Sequence, residues 1–287
     1  MMDNEPRIES KGNVLSVYFT FQEGWEQWFM LSSDRHHDSK YCDRELEKTQ
    51  LDKAVKRDAF IIDAGDILDA MQGRYDPRRR YDDLRPEYKG DNYYDAIVKD
   101  AAKFYKPYAK NWLLMGRGNH EEATLKNVNT DILSRLIENL NNEDGANITE
   151  GGFGGWVRFM FARTKYQSSI KLKYHHGYAT TDAPVTRGVI QTNRQAVYLP
   201  DADIVFNGHN HNEYVLSIKR ERLSNKGKTY FDLVHFARTP GYKNDYQDGT
   251  RSWMVQKGQP PKPLGCIWMR LFYESAMIKV ELTADII

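Results

Sequence analysis

Cysteine is nearly absent: Cys42 and Cys266 are the only two in 287 residues. Two thiols in a chain this long make neither a disulfide framework nor a cysteine-based zinc site, and a reducing, cytoplasmic setting is the simplest expectation. An excess of one charge is missing too. The 41 basic and 40 acidic residues nearly cancel, so there is no global basic field of the kind nucleic-acid binders carry, only room for a local patch. No apolar run approaches the roughly 18 residues of a membrane span. The opening stretch MMDNEPRIESKGN is polar and carries no secretory signal. Internal repeats and low-complexity linkers are lacking as well. What the chain does have is bulk: 40% hydrophobic and 13% aromatic residues, enough for a substantial core despite the many charges.

In the first half, apolar spacing alternates between strand and helix. QWFMLSSD (27–34) and AFIIDAGD (59–66) read as strands ending in polar loops. Between them Leu46, Leu51, Ala54 and Val55 have helical spacing, which suggests a βαβ unit with a parallel sheet. Residues 73–90, with two prolines, two glycines and many charges, read as an inserted loop. Helices are expected over 91–106 and 121–140, with a short strand, WLLM, between them. After GGFGG (151–155) the texture becomes strand-rich: 156–163, 169–177, 202–211, 213–221, 229–238, 265–275 and 276–282. A helix or irregular segment, TRGVIQTNRQAVY, interrupts them. A single domain of two mixed sheets flanked by helices, a four-layer αββα sandwich, satisfies both halves.

The histidines are not scattered. Seven of the eight fall into four short clusters at strand ends: SDRHHD (33–38), GNHE (118–121), HHG (175–177) and GHNH (208–211). A fifth strand end, GDILD (65–69), brings carboxylates. Open α/β sheets place their sites in loops at the carboxyl ends of strands. Imidazole, carboxylate and one amide together suit divalent ions such as Mn, Fe, Zn or Mg.

The ordered series DxH, GDxxD, GNHE, HHG, GHxH, running from Asp34 to His211, closely resembles the calcineurin-like metallophosphoesterase superfamily. The resemblance implies two divalent ions, manganese first among the candidates. Asp34, His36, Asp66 and His211 would hold one; Asp66, Asn119, His176 and His209 would hold the other, with Asp66 shared. It also implies hydrolysis of a phosphate ester by a hydroxide formed between the ions, which in such sites lie about 3.5–4 Å apart. His120 would face the leaving group as an acid or a charge stabiliser, oriented by Asp69. A phosphodiesterase, and within that class a nuclease, is the leading expectation. A small-molecule or protein phosphomonoesterase is the alternative. The superfamily also contains a retromer subunit with degenerate metal motifs, so a non-catalytic scaffold is the reading from another class; here every ligand position is intact.

Each residue also has a plainer reading. Asp34 alone would pass for a helix cap. Only His36 of the adjacent pair fits DxH, which leaves His37 behind the site or exposed. His176, directly before Gly177, fits the ligand position better than His175, which would point to the other side of its strand. His235 reads as a sheet-face residue that binds nothing, and Asp63 as structural. Glu121 and Glu122 suit the first turn of a helix. Arg78, Arg79 and Arg80 lie in the insertion, directly after GDILD, and are candidates for touching substrate phosphate. Arg117, Arg187 and Arg194 are further candidates, with Arg238 and Tyr242 of the same weaker kind. The protein serine/threonine phosphatases of the superfamily share RGNHE with this chain, but carry an arginine where Ala70 stands. Near-zero net charge argues against long duplex DNA as the partner, and no membrane partner is expected.

Overall fold

Period-two burial along the strands builds two sheets with a common interior. The computed structural model describes residues 5–71, 84–90, 92–163, 166–177, 189–247 and 252–287. In chain order the elements are β1 (Arg7–Lys11), β2 (Val14–Thr20), β3 (Glu26–Ser32), α1 (Arg44–Lys56), β4 (Phe60–Asp63), α2 (Tyr93–Tyr105), β5 (Trp112–Met115), α3 (Asn119–Val128), α4 (Ile132–Asn141), β6 (Thr149–Glu150), β7 (Gly154–Arg163), β8 (Tyr166–His175), α5 (Val189–Tyr198), β9 (Ile204–Asn207), β10 (Tyr214–Leu223), β11 (Thr229–Arg238), α6 (Trp253–Gln256), β12 (Gly265–Glu274) and β13 (Met277–Ile286). One sheet runs β1-β2-β7-β8-β9-β11-β10 and the other β13-β12-β3-β4-β5-β6. Both are mixed. Among the described residues no helix is long and apolar enough to cross a membrane.

Alternate residues of a strand face opposite sides, and the layers follow from that. Phe29 and Leu31 of β3 join Val157, Phe159 and Phe161 of β7 between the sheets. The Phe29 and Phe159 rings meet there with centroids 4.8 Å apart. Met30 of β3 and Ile61 of β4 turn outward instead. They are covered by Leu51 and Ala54 of α1, Ile97 and Val98 of α2, and Leu133 and Leu136 of α4. On the far side, Val205 of β9 and Phe236 of β11 pack with Ala196 of α5. The order is helix, sheet, sheet, helix, as the sequence pattern predicts.

The two halves of the chain are interleaved in space. The N-terminal hairpin β1–β2 joins the strand-rich half, with β2 parallel to β7. The C-terminal hairpin β12–β13 returns to the first half, with β12 antiparallel to β3. Within that frame β3, β4 and β5 run parallel, as do β8 and β9. The loops leaving their carboxyl ends converge.

Three local expectations need correction. Residues 7–11, within the stretch read only as a polar opening, form β1, and 14–20, passed over in the sequence, form β2; Lys11 pairs with Val14 across a two-residue Gly12-Asn13 turn. The helix expected over 121–140 is two. Asn129 sits at φ 52 and caps α3, and Asp131 accepts from the Ser134 N–H at 3.1 Å to start α4. Leu125, counted as apolar stripe, is consequently exposed. TRGVIQTNRQAVY, expected as helix or irregular, contains the helix α5. The strands before the site are also shorter than their apolar runs suggest: Phe60–Asp63 within 59–66, and Ile204–Asn207 within 202–211. The residues trimmed from them are the ones that turn into the site. Of the insertion at 73–90, residues 84–90 dock back on the fold: Arg85 donates to the Ser39 and Cys42 carbonyls at 2.9 and 3.1 Å.

Candidate metal centre

The loops after β3 and β4 continue side by side past the end of the sheet. Asp34 N–H donates to Gly65 O at 2.9 Å, His36 N–H to Asp66 O at 3.0 Å, and His37 N–H to Ile67 O at 2.9 Å. From the other sheet, the loop after β9 crosses to meet them, and His209 N–H donates to Asp34 Oδ2 at 2.7 Å. Asp34, His36, Asp66, His209 and His211 all adopt left-handed backbone, at φ 54, 47, 56, 74 and 51. Such conformations cost of order 1–3 kcal/mol each and gather at functional sites. Close approach is needed as well. A Cβ on Gly118 would fall 2.0 Å from Asp66 Oδ1 and 2.4 Å from its backbone nitrogen.

Each carboxylate spends one oxygen on the backbone and presents the other. Asp66 Oδ1 accepts from His120 N–H at 2.9 Å, while Oδ2 lies 3.2 Å from His176 Nε2. Asp34 Oδ2 accepts from His209 N–H, while Oδ1 is buried with no hydrogen-bond partner. The imidazoles are oriented in the same sense. His176 Nδ1 lies 3.1 Å from the Ala64 carbonyl oxygen and donates to it, so in the neutral ring Nε2 holds a lone pair. That lone pair faces Asp66 Oδ2, Asn119 Oδ1 at 3.0 Å and His209 Nδ1 at 3.2 Å. Acceptors aimed at one another in a buried space fit a cation. His36 is set differently: Nδ1 is 2.9 Å from Asp69 Oδ1 without making a hydrogen bond to it, and Nε2 is likewise buried with no hydrogen-bond partner.

Donor atoms of Asp34, Asp66, His176 and His209 all lie within 4.8 Å of one another, and so do those of Asp34, His36 and His211. Asp34 thus belongs to both groups, while Asp66 also groups with His36 and His120. Asn119, the first residue of α3, reaches the first group through His176. All seven residues expected to hold metal are therefore gathered at one place, and Asn119 and His120 are delivered by the helix start that GRGNHEE encodes.

The charges are strongly coupled. Burial opposes ionisation of Asp34, but the His211 imidazolium beside it outweighs burial and holds its carboxyl below the usual range. Asp66 is likewise held well below, against burial, by His120 and His176. Burial lowers His176, yet Asp66 overrides it and raises the ring to about 10. His211 is raised in the same way by Asp34. His36 goes the other way: burial dominates and brings it to about 4. His209 is lowered by burial and by His176.

Several residues that hold the site escaped the sequence reading. Glu121 is fully buried rather than a surface helix-dipole residue. Its carboxylate accepts from the N–H groups of Asp66, Leu68 and Gly118 at 3.1, 3.0 and 3.0 Å, joining the GDILD and GNHE loops. Burial and Asp66 raise it to about 8. Asp38 accepts from Asp69 and Ala70 N–H at 2.6 and 3.1 Å and from the Tyr93 hydroxyl. Arg35, between two site residues, is fully buried and donates to Asp63, Glu47 and Ser32, so Asp63 is structural. His37 is buried against Glu47, with Nδ1 2.8 Å from Oε2. Spacing cannot show these partners, because each depends on which loops meet.

The link between His120 and Asp69 differs from the expected one. His120 Nδ1 donates to the Asp69 backbone carbonyl at 2.5 Å, and the Asp69 carboxylate oxygen is 3.7 Å away. The ring is still oriented, but by a neutral acceptor. The carboxylate is engaged by His36 and by Lys243 Nζ at 3.0 Å. Among the arginines, Arg117 Nη2 pairs with Asp131 and Glu150 at 2.7 and 2.6 Å. Arg194 is exposed on α5. Arg78, Arg79, Arg80 and Arg187 lie outside the described residues. Tyr242 is fully buried and donates to Gln50 at 2.7 Å, so it does not reach substrate, and Arg238 is buried over the Tyr214 ring. His175 accepts from Gly177 N–H, and His235 meets Ser217 Oγ on the sheet face.

No model of a known protein family matches this sequence, and no curated protein does. Among solved structures, the chain is similar to a conserved protein of Streptococcus pneumoniae described as a predicted phosphoesterase, with 14% identity, a TM-score of 0.31 and coverage of 90% of this chain and 89% of that one. It is similar to vacuolar protein sorting 29 of Cryptosporidium parvum, with 12% identity, a TM-score of 0.35 and coverage of 90% and 97%. A metallophosphoesterase of Sphaerobacter thermophilus has 11% identity, a TM-score of 0.28 and coverage of 90% and 89%. Likenesses at these scores carry no weight beside the geometry above.

Proposed function

We propose that the chain is a divalent-metal-dependent phosphoesterase of the calcineurin-like kind, with a preference for phosphodiesters. The observation that carries this is the set of mutually facing donors at the meeting of the two sheets, with Asp34 Oδ1 and His36 Nε2 buried and without a hydrogen-bond partner. Asp34, His36, Asp66 and His211 would hold one ion, and Asp66, Asn119, His176 and His209 the second. Such ions lower the pKa of water and offset charge on a phosphate ester.

The chain's own groups supply the rest. His120 stands beside both sets, its ring centroid 4.7 Å from that of His36. The Asp69 carbonyl accepts a hydrogen bond from its Nδ1, so Nε2 is the atom that gives or withholds a proton at the leaving oxygen. Burial of Asp34, His36 and Asp66 at 0, 2 and 2% exposure keeps bulk water from screening the reacting charge. The diester preference rests on charge. A monoester brings two negative charges and a diester one, and the guanidinium groups of Arg35 and Arg117 are already tied into ion pairs.

A substrate panel with manganese tests this, comparing phosphate monoesters, cyclic nucleotides, single-stranded DNA and duplex ends. Hydrolysis of diesters above monoesters is the expected result. A clear preference for monoesters would sink the diester assignment. Fewer than one bound metal per chain, with no hydrolysis of bis-p-nitrophenyl phosphate, would favour a non-catalytic scaffold.

A further inference from the structure

Lys243 belongs to none of the five motif blocks, yet the fold delivers it to the site by a rigid route. Tyr242 N–H donates to Asp34 O at 3.0 Å, Asp43 N–H to Tyr242 O at 2.8 Å, and Asn244 N–H to Tyr41 O at 2.8 Å. Residues 242–244 are thereby fixed between the loop that carries Asp34 and the segment before α1. The side chain is 18% exposed, and its Nζ lies 3.0 Å from Asp69 Oδ1. That same oxygen is 2.9 Å from His36 Nδ1. The backbone of Asp69 is pinned separately by Asp38. The carboxylate therefore has a fixed root and one oxygen bonded to a lysine and held close to an imidazole.

We infer that Lys243 is a positioning residue: by holding the Asp69 carboxylate 2.9 Å from His36 Nδ1, it sets a negative charge there that favours the proton on Nδ1 and leaves Nε2 as a lone-pair donor to the metal. The inference rests on the phosphoesterase reading for the role of Nε2, although the tautomer itself does not. A carboxylate behind a ligating histidine is a known way to orient the ring and raise its basicity, and loss of such a partner costs about 10–100-fold in metal affinity or activity. What is particular to this chain is the cation behind the carboxylate. Without it, Asp69 Oδ1 is free to swing to His120 Nδ1, 3.7 Å away. His36 would then lose the negative charge that places its proton.

The test compares the wild-type chain with Lys243→Met, which keeps the stem and removes the charge, and Lys243→Arg, which keeps a cation. Lys243→Gln replaces the methionine variant if that one does not fold. Nitrogen-15 spectra of the metal-free protein report the His36 tautomer, and calorimetric titration with manganese reports affinity. Wild type and Lys243→Arg are expected to show one tautomer, protonated at Nδ1. The uncharged variant is expected to show a mixture and a manganese affinity at least about tenfold weaker. An uncharged variant with the wild-type tautomer and affinity overturns the inference. If the wild type binds no manganese, the phosphoesterase reading fails instead, and the spectra still decide what Lys243 does to His36.

Discussion

At the scale of single residues, the site divides into atoms that face inward and atoms that hold them. His120 is the residue whose role is most separable from metal binding, since its Nδ1 is spent on the Asp69 carbonyl and its backbone N–H on Asp66. His120→Asn is expected to leave metal content intact, measured by atomic emission, and to lower turnover by roughly a hundredfold or more. The imidazoles also set a pH dependence in the metal-free protein. His176 is raised from 6.5 to about 10, so its contribution is full below pH 6.5 and is lost as pH climbs to about 10. His36 is lowered from 6.5 to about 4, so it costs stability as pH falls from 6.5 towards 4. Thermal melts in chelator are expected to peak near pH 6.5 on account of these two rings. Metal affinity should instead rise across pH 6.5–10, because the ion displaces the His176 proton. The inward-facing residues were legible in the sequence because chemistry restricts them to few residue types at short, fixed spacings. The holding residues were not: Glu121 looked like an ordinary first-turn acid, and Lys243 stands 174 positions from the carboxylate it engages.

At the scale of elements, loops do the work and strands aim them. Gly118 lets the start of α3 approach the Asp66 loop, and a methyl group there collides with backbone as well as with the carboxylate. Gly118→Ala is expected to destabilise the fold by about 1–3 kcal/mol, the usual cost of overpacking, and to abolish binding of the ion assigned to Asn119. Denaturant titration and metal analysis check the two parts; a variant with normal stability and two bound ions contradicts the geometry. The helical stripe of α1, apart from Val55, which is exposed, and the alternation of β7 could be read in advance, since burial on one face writes itself as a period. The break between α3 and α4 was overlooked because apolar spacing runs through it, while Asn129 and Asp131 act through capping geometry. The strand ends were overextended for a related reason: residues such as Ala64 and Asp66 are buried, but by loops rather than by a ladder.

At the scale of the whole molecule, the site exists because two face-packed sheets bring loops from the carboxyl ends of their strands together. Asp34, His36, Asp66 and Asn119 come from the loops of one sheet, and His176, His209 and His211 from the other. The layer order was legible from the change in texture near GGFGG; the exchange of hairpins, with β1–β2 in one sheet and β12–β13 in the other, was not, because pairing partners far apart in sequence leave no periodic mark. The core between the sheets, with Phe29 against Phe159, is what holds the two halves of the site in register. Anomalous scattering from a crystal loaded with manganese tests the central claim most directly. Two peaks about 3.5–4 Å apart are expected, one beside Asp34, His36 and His211, the other beside Asn119, His176 and His209, with Asp66 touching both. Absence of density there, or a lone peak at the separate cluster of His37, Cys42 and Glu47, would contradict it.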